Sequence, residues 1–186
     1  MHTIYLVRHA EAEPGEATDP GLSAAGREQA RALGRRLAVE PIRTVLHSPK
    51  ARAAQTALTV AAHLPSAHVE ATDLLDDRTA VPSASRLREY PPHRHAWLAE
   101  VPEVEQDIDG HWMTSAWNQL SAPGPEGAVL LVTHAFVVGW FVREVLGAPA
   151  EAWLRLMPVL NAGLSIVASN SHGERTLTLF NSVDHL

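Results

Sequence analysis

The sequence predicts an α/β fold: a three-layer α/β/α sandwich around a mostly parallel central sheet. Two observations point there. Residues 4–7, 44–47 and 127–133 are short runs dominated by apolar side chains, without the alternation of a half-exposed strand. Each is followed by a stretch with apolar residues at helical spacing, so the chain reads as repeated strand–helix units.

The first strand ends abruptly in Arg8-His9. Residues 10–21 hold Pro14, Gly15, Pro20 and Gly21 among acidic side chains and read as a loop. Ser23, preceded by Leu22, marks a helix start. Ala30, Leu33 and Leu37 give that helix an apolar face, and it is expected to stop near Val39, ahead of Pro41. The second strand ends at His47. Ser48 is placed to cap the next helix and Pro49 to fill its first turn, with the helix running to about His63. Arg52 then sits in the first turn, where the helix dipole disfavours a cation by roughly 0.3–1 kcal/mol at an exposed site. A bound anion reverses that objection, being attracted to both the arginine and the helix end.

Residues 67–70 suggest a further strand, and residues 73–79, with Asp73, Asp76 and Asp77, read as loop. From residue 83 to 125 the signals fade. Residues 85–90 suggest a short helix before Pro91-Pro92. Trp112, Met113, Ala116, Trp117 and Leu120 have near-helical spacing and read as core or lid packing. Residues 127–134 are the clearest strand and end in His134. Residues 136–146 form an apolar helix stopped near Gly147 and Pro149, and residues 150–157 a further short helix. Residues 161–167 and 176–180 close the chain as a hairpin. Residues 1–186 thus read as one domain with an irregular insertion at about 72–125.

Composition bounds the function. The chain is 186 residues long, 46% hydrophobic and 19% charged, enough for a substantial core. It has no cysteine, which excludes disulfides and thiolate metal sites. The net charge is −6 and Lys50 is the sole lysine, with no basic cluster, so nucleic acid is not an expected partner. The apolar run at 128–132 is far too short to span a bilayer, and the N-terminus shows no leader pattern. The expectation is a cytoplasmic protein without a membrane partner.

Three strands that share one parallel sheet would bring Arg8, His9, Ser48, Arg52 and His134 to its carboxyl edge, where open α/β sheets bind ligands. Two guanidiniums suit the oxygens of a phosphate monoester. One imidazole can attack phosphorus in line while the other stabilises the transferring oxygens. The cationic side chains supply the positive field, so no metal and no other cofactor is expected.

Leu6-Val7-Arg8-His9-Ala10 resembles the Arg-His-Gly signature of the histidine phosphatase superfamily, also called phosphoglycerate mutase-like. Leu22-Ser23-Ala24-Ala25-Gly26-Arg27-Glu28-Gln29-Ala30 is similar to its Leu-Thr-x-x-Gly-x-x-Gln-Ala element. The segment from Ser48 through Arg52 to Ala57 resembles its second arginine motif, and Val132-Thr133-His134 its second histidine motif. The four occur in the family's order across most of the chain. The resemblance implies a phosphoglycerate mutase-like fold. It implies a phosphoric monoester hydrolase of the histidine acid phosphatase type. His9 matches the nucleophile, and Arg8, Arg52 and His134 match the phosphate pocket. The family's general acid is a glutamate in a Leu-x-Glu setting after the third strand. Leu74-Leu75-Asp76 stands at that place, which favours Asp76 on its spacing from Arg52; Asp77 is adjacent, and Glu89 of Leu87-Arg88-Glu89 fits the pattern but comes later.

The sequence departs from the pattern twice. Ala10 replaces a glycine, which requires that its φ be negative. The Gly-x-Trp-Glu-Gly segment of many mutase-like members is absent, with Arg78-Thr79-Ala80-Val81-Pro82 in its stead. Arg-His-Ala-Glu-Ala is similar to the small phosphohistidine phosphatases of the same superfamily, whose leaving group needs acid catalysis less. The expected partner is a phosphorylated small molecule or a phosphohistidine protein. Three alternatives stand beside this: mutase-type phosphotransfer, a non-catalytic phosphate-binding module, and a metal-dependent hydrolase using His93 and His95.

Overall fold

The computed structural model describes residues 2–15, 19–122, 127–170 and 172–186. Parts of the sequence reading, at residues 16–18 of the first loop and 123–125 of the insertion, fall outside them. In chain order the elements are β1 (His2–Arg8), α1 (Ala24–Leu37), β2 (Ile42–His47), α2 (Ala51–Ala61), β3 (His68–Ala71) and β4 (Thr79–Val81). They continue with α3 (His95–Ala99), β5 (Gln106–Ile108), α4 (His111–Leu120), β6 (Ala128–Thr133), α5 (Ala135–Val145), β7 (Leu164–Ser169) and β8 (Arg175–Ser182). Six strands form one sheet in the order β3-β2-β6-β1-β7-β8. The first four are mutually parallel, and β7 and β8 close the edge antiparallel as the predicted hairpin.

The sheet is the middle of three layers. Along β1, successive side chains point to opposite faces. Tyr5 and Val7 pack with Leu33 and Leu37 of α1 and Ala53, Ala57 and Val60 of α2. Ile4 and Leu6 pack with Met113 and Trp117 of α4 and Val137, Val138 and Phe141 of α5. β6 lies between β1 and β2 and is buried at all six positions, which is why its sequence lacks alternation. Among the described residues no helix is long and apolar enough to cross a membrane.

Register brings the functional strand ends level. Arg8 pairs with Thr133 across β1 and β6, and His47 pairs with Val132 across β2 and β6. Just past the strands, the His9 N–H donates to the Thr133 carbonyl (2.8 Å) and the Ser48 N–H to the Val132 carbonyl (3.0 Å).

Two local expectations change. Ser23 caps α1 as its sequence indicates, accepting from the Gly26 N–H at 3.0 Å. Ser48 does not cap α2, because the helix starts three residues later at Ala51. The Ala51 N–H instead donates to the Asp19 carboxylate (3.0 Å), so a residue from the first loop satisfies that helix end.

The segment from residue 72 is also more ordered than an irregular insertion. β4 and β5 pair in parallel as a small sheet of their own, and short 3-10 turns at Asp73–Leu75, Leu87–Glu89, Pro92–Arg94 and Glu103–Glu105 link the pieces. Buried Asp107 accepts from the Trp112 and Met113 N–H groups (3.0 and 2.8 Å) and so starts α4. Gly110, at φ 69°, precedes that helix; a Cβ there would lie 2.0 Å from the Trp140 ring.

Candidate active site

The strand ends build a small cationic floor. The His9 Nδ1 lies 2.8 Å from the Ala10 carbonyl oxygen. A carbonyl only accepts, so Nδ1 carries the proton and Nε2 presents its lone pair. Arg52 Nε donates to that Nε2 at 3.2 Å. Burial pushes the His9 pKa down to about 3; the Ala10 hydrogen bond opposes this, and the Arg8 and Arg52 cations add to it. The ring is therefore neutral near pH 7, as a nucleophile must be.

His134 stands beside it, with ring centroids 5.2 Å apart and planes at 62°. Burial, then the neighbouring His9, Arg52, Lys50 and Arg8, holds its pKa well below the ordinary value. Its Nε2 lies 2.8 Å from Ser48 Oγ, and its Nδ1 lies 3.1 Å from Asp77 Oδ2. Arg52 is only 4% exposed. Its Nη2 donates to Asp77 Oδ2 at 2.8 Å, and its Nη1 lies 3.6 Å from Asp19 Oδ1. Two carboxylates thus offset the cation that the α2 dipole disfavours. Arg8 Nη1 donates to the Val159 carbonyl at 2.8 Å. A cavity of about 290 Å³ opens over this floor, with Arg8, His9, Arg52, Asn161, Glu11 and Glu13 in its lining.

Loop residues lock the floor in place. The Glu11 N–H donates to Gln29 Oε1 (2.9 Å), the Leu22 N–H to Gln55 Oε1 (2.8 Å), and the Ala10 N–H to Thr56 Oγ1 (3.0 Å). The Ser23 N–H donates to the Glu11 carbonyl at 3.0 Å. Gly26 faces that same carbonyl, and a Cβ on it would sit 1.9 Å from the oxygen. These bonds give Gly26, Gln29 and Gln55 a common role: they hold the chain that leaves His9.

The chain matches the Histidine phosphatase superfamily (branch 1) over residues 4–182. It belongs to that superfamily. It is 28% identical over 190 residues to the mitochondrial serine/threonine-protein phosphatase Pgam5 of Caenorhabditis elegans, covering 98% of this chain and 63% of that protein. The chain spans less than two-thirds of the length of such curated relatives. Among solved structures, Bacillus stearothermophilus YhfR superposes with a TM-score of 0.78 at 18% identity, over 100% of this chain and 99% of that one. A phosphoserine phosphatase mutant from Entamoeba histolytica, in complex with phosphoserine, superposes at 0.75 and 18% identity over both whole chains. At that identity the structural likeness is one of fold.

Of the residues that the family resemblance singled out, the structure brings Arg8, His9, Arg52 and His134 together. Of the adjacent aspartates, it places at the floor the one the sequence did not favour. Asp77, not Asp76, touches Arg52 and His134. Asp76 instead ends the 3-10 turn and accepts from the Asp77 N–H at 2.8 Å. Two bonds aim the turn: Thr133 Oγ1 donates to the Leu75 carbonyl (2.7 Å) and the Thr72 N–H to the His47 carbonyl (2.8 Å). Glu89 is paired with Arg86 away from the floor, at 2.9 Å. His93 is exposed, and His95 Nε2 lies 2.9 Å from the Tyr90 carbonyl. Among the described residues no three His, Asp or Glu side chains gather as metal ligands.

Ser48, Asn161 and Asp19 join the site beyond those residues. Asn161 Nδ2 donates to the His9 carbonyl at 3.1 Å from a position 152 residues away, which no local pattern announces. Ala10 is buried and is not among the residues with positive φ, so the missing glycine costs nothing there.

Proposed function

We propose that the chain is a phosphatase that hydrolyses a phosphomonoester through a phosphohistidine on His9, with no metal. The observation that carries this is the His9 ring: neutral, with its Nε2 lone pair presented beside Arg52. Arg8 and Arg52 would hold the phosphoryl oxygens. Nε2 attacks phosphorus, the N–P bond forms, and the ester P–O bond breaks. Asp77, protonated in the substrate complex, gives its proton to the leaving oxygen. The incoming dianion itself favours that protonation, because it competes for Arg52 and sets like charge next to the carboxylate. In the second half, Asp77 takes a proton from water as the water attacks phosphorus. The N–P bond then breaks and its electron pair returns to Nε2.

A cavity of about 290 Å³ suits a phosphorylated small molecule. The phosphoserine held by the Entamoeba histolytica neighbour is of that class. The Pgam5 relatives are named for serine/threonine-protein phosphatase activity, so a phosphorylated side chain presented by a protein is the competing substrate.

The deciding experiment is hydrolysis of p-nitrophenyl phosphate with EDTA present, comparing wild type with His9→Ala. Turnover that survives EDTA and falls by about 10³-fold or more in the variant is expected. Acid-labile ³²P on the wild type and none on the variant completes the result. Label retained by His9→Ala would sink the mechanism.

A further inference from the structure

We propose that Ser48 is a positioning residue that fixes the proton of His134 on Nδ1, by donating its own hydroxyl proton to Nε2. The inference rests on the phosphatase reading for its purpose, and on local geometry for its content. Ser48 Oγ is 2.8 Å from His134 Nε2, and Ser48 has no solvent exposure. The Lys50 backbone N–H points at the same oxygen, at 3.3 Å. The hydroxyl accepts there and keeps its own proton for a second partner. His134 is neutral, so one ring nitrogen accepts and the other donates. If Nε2 accepts from Ser48, Nδ1 carries the hydrogen.

The other end of the ring agrees. Nδ1 faces Asp77 Oδ2 at 3.1 Å yet makes no aligned hydrogen bond, and it is fully buried. An N–H there is attracted to the carboxylate. The opposite tautomer would set the Nδ1 lone pair 3.1 Å from a carboxylate oxygen.

The two histidines are then set for different tasks by what each meets: His9 the carbonyl that follows it, His134 the serine just beyond β2. The Ala10 carbonyl fixes His9 so that Nε2, which accepts from Arg52, carries no proton. The Ser48 hydroxyl fixes His134 so that Nδ1, on the Asp77 side, is the donor. Ser48, His134 and Asp77 line up in the order of a serine hydrolase triad, but the Ser48 hydroxyl is sealed from the cavity. It therefore cannot meet a substrate carbonyl, and the string orients the ring instead.

The test is the tautomer itself, read from long-range ¹H–¹⁵N spectra of the wild-type protein at pH 7. His134 is assigned by its loss in His134→Gln. Protonated Nδ1 and bare Nε2 are expected; protonated Nε2 overturns the proposal without need of any variant. In Ser48→Ala the His134 signals should move toward the other tautomer, and kcat for p-nitrophenyl phosphate should fall about 10-fold with little change in KM. Unmoved ¹⁵N shifts in Ser48→Ala overturn the proposal. A wild type with the expected tautomer and no phosphatase activity would instead count against the functional reading alone.

Discussion

The floor of the site and the segment that overhangs it are built on different principles. The floor is made of strand ends. Arg8, His9, Ser48 and His134 are each within two residues of a central parallel strand, and the sheet register fixes their heights. Their neighbours hydrogen-bond to backbone groups that do not move independently of the sheet. The overhang, from Thr72 to Asp109, is built of 3-10 turns, a five-residue helix and two three-residue strands. From it Asp77 reaches Arg52 and His134, on a turn that the Thr133 and His47 bonds aim at the floor. The difference teaches where each property resides. On the proposed mechanism, phosphate capture and nucleophilic attack belong to the sheet, whereas leaving-group protonation falls to a less regular element.

The largest effect that can break this division comes from Asp77. Asp77→Asn should slow hydrolysis of an alkyl phosphate by about 10²–10³-fold, in the range of a lost general acid, and slow p-nitrophenyl phosphate by less than about 10-fold. The nitrophenolate needs little protonation. Asp76→Asn keeps an acceptor for the Asp77 N–H and should change either rate by less than about 3-fold. Steady-state kinetics on the two esters would decide it. Equal slowing of both by Asp77→Asn would remove the overhang from the chemistry.

The floor has its own signature, which is pH-dependent stability. His9 has a native pKa of about 3 against an ordinary 6.5. As pH falls through 6.5 the unfolded chain takes up a proton at His9 and the native chain does not. The unfolded state therefore gains, and stability declines from about pH 6.5 down toward the native value. Between pH 7 and pH 5 this one ring accounts for about 2 kcal/mol lost. His134, shifted the same way, adds to the loss. Urea denaturation at both pH values should show wild type losing about 2 kcal/mol more than His9→Asn. Parallel losses would mean that the ring is not held neutral by burial.

The same division explains what could be read in the sequence. Arg8, His9 and His134 were legible because apolar strands that stop on a polar residue announce an edge. Asp77 stood beside the favoured Asp76: the two are chemically alike, and only the turn geometry decides which faces Arg52. β4 and β5, three residues each, are too short to show a period of two. Ser48 was read at the edge, but also as a cap, because a serine before a proline and a helix looks like one. Its immediate sequel to a strand, the same position that His134 holds after β6, was the signal for the edge. Gly26 stood in a recognisable motif without a reason, and the reason is the Glu11 carbonyl pressed against it.

The smallest expected effect lies where floor and rim meet. Glu11 and Glu13 line the cavity beside two arginines. The Glu11 carboxylate accepts from Ser23 Oγ at 2.6 Å, while Glu13 is exposed. A second anionic group on the substrate would meet Glu13 after its phosphate had met the arginines. Opposed charges a few ångströms apart in water interact weakly, and like charges repel as weakly. Glu13→Gln should therefore raise kcat/KM for 3-phosphoglycerate relative to glycerol 3-phosphate by only about 2–3-fold. Added salt should erase the difference, because an exposed charge is screened within about 10 Å at 0.1 M. A change that persists in high salt would mean that Glu13 acts by direct contact with the leaving group, and the rim would then share in substrate choice by shape rather than by charge alone.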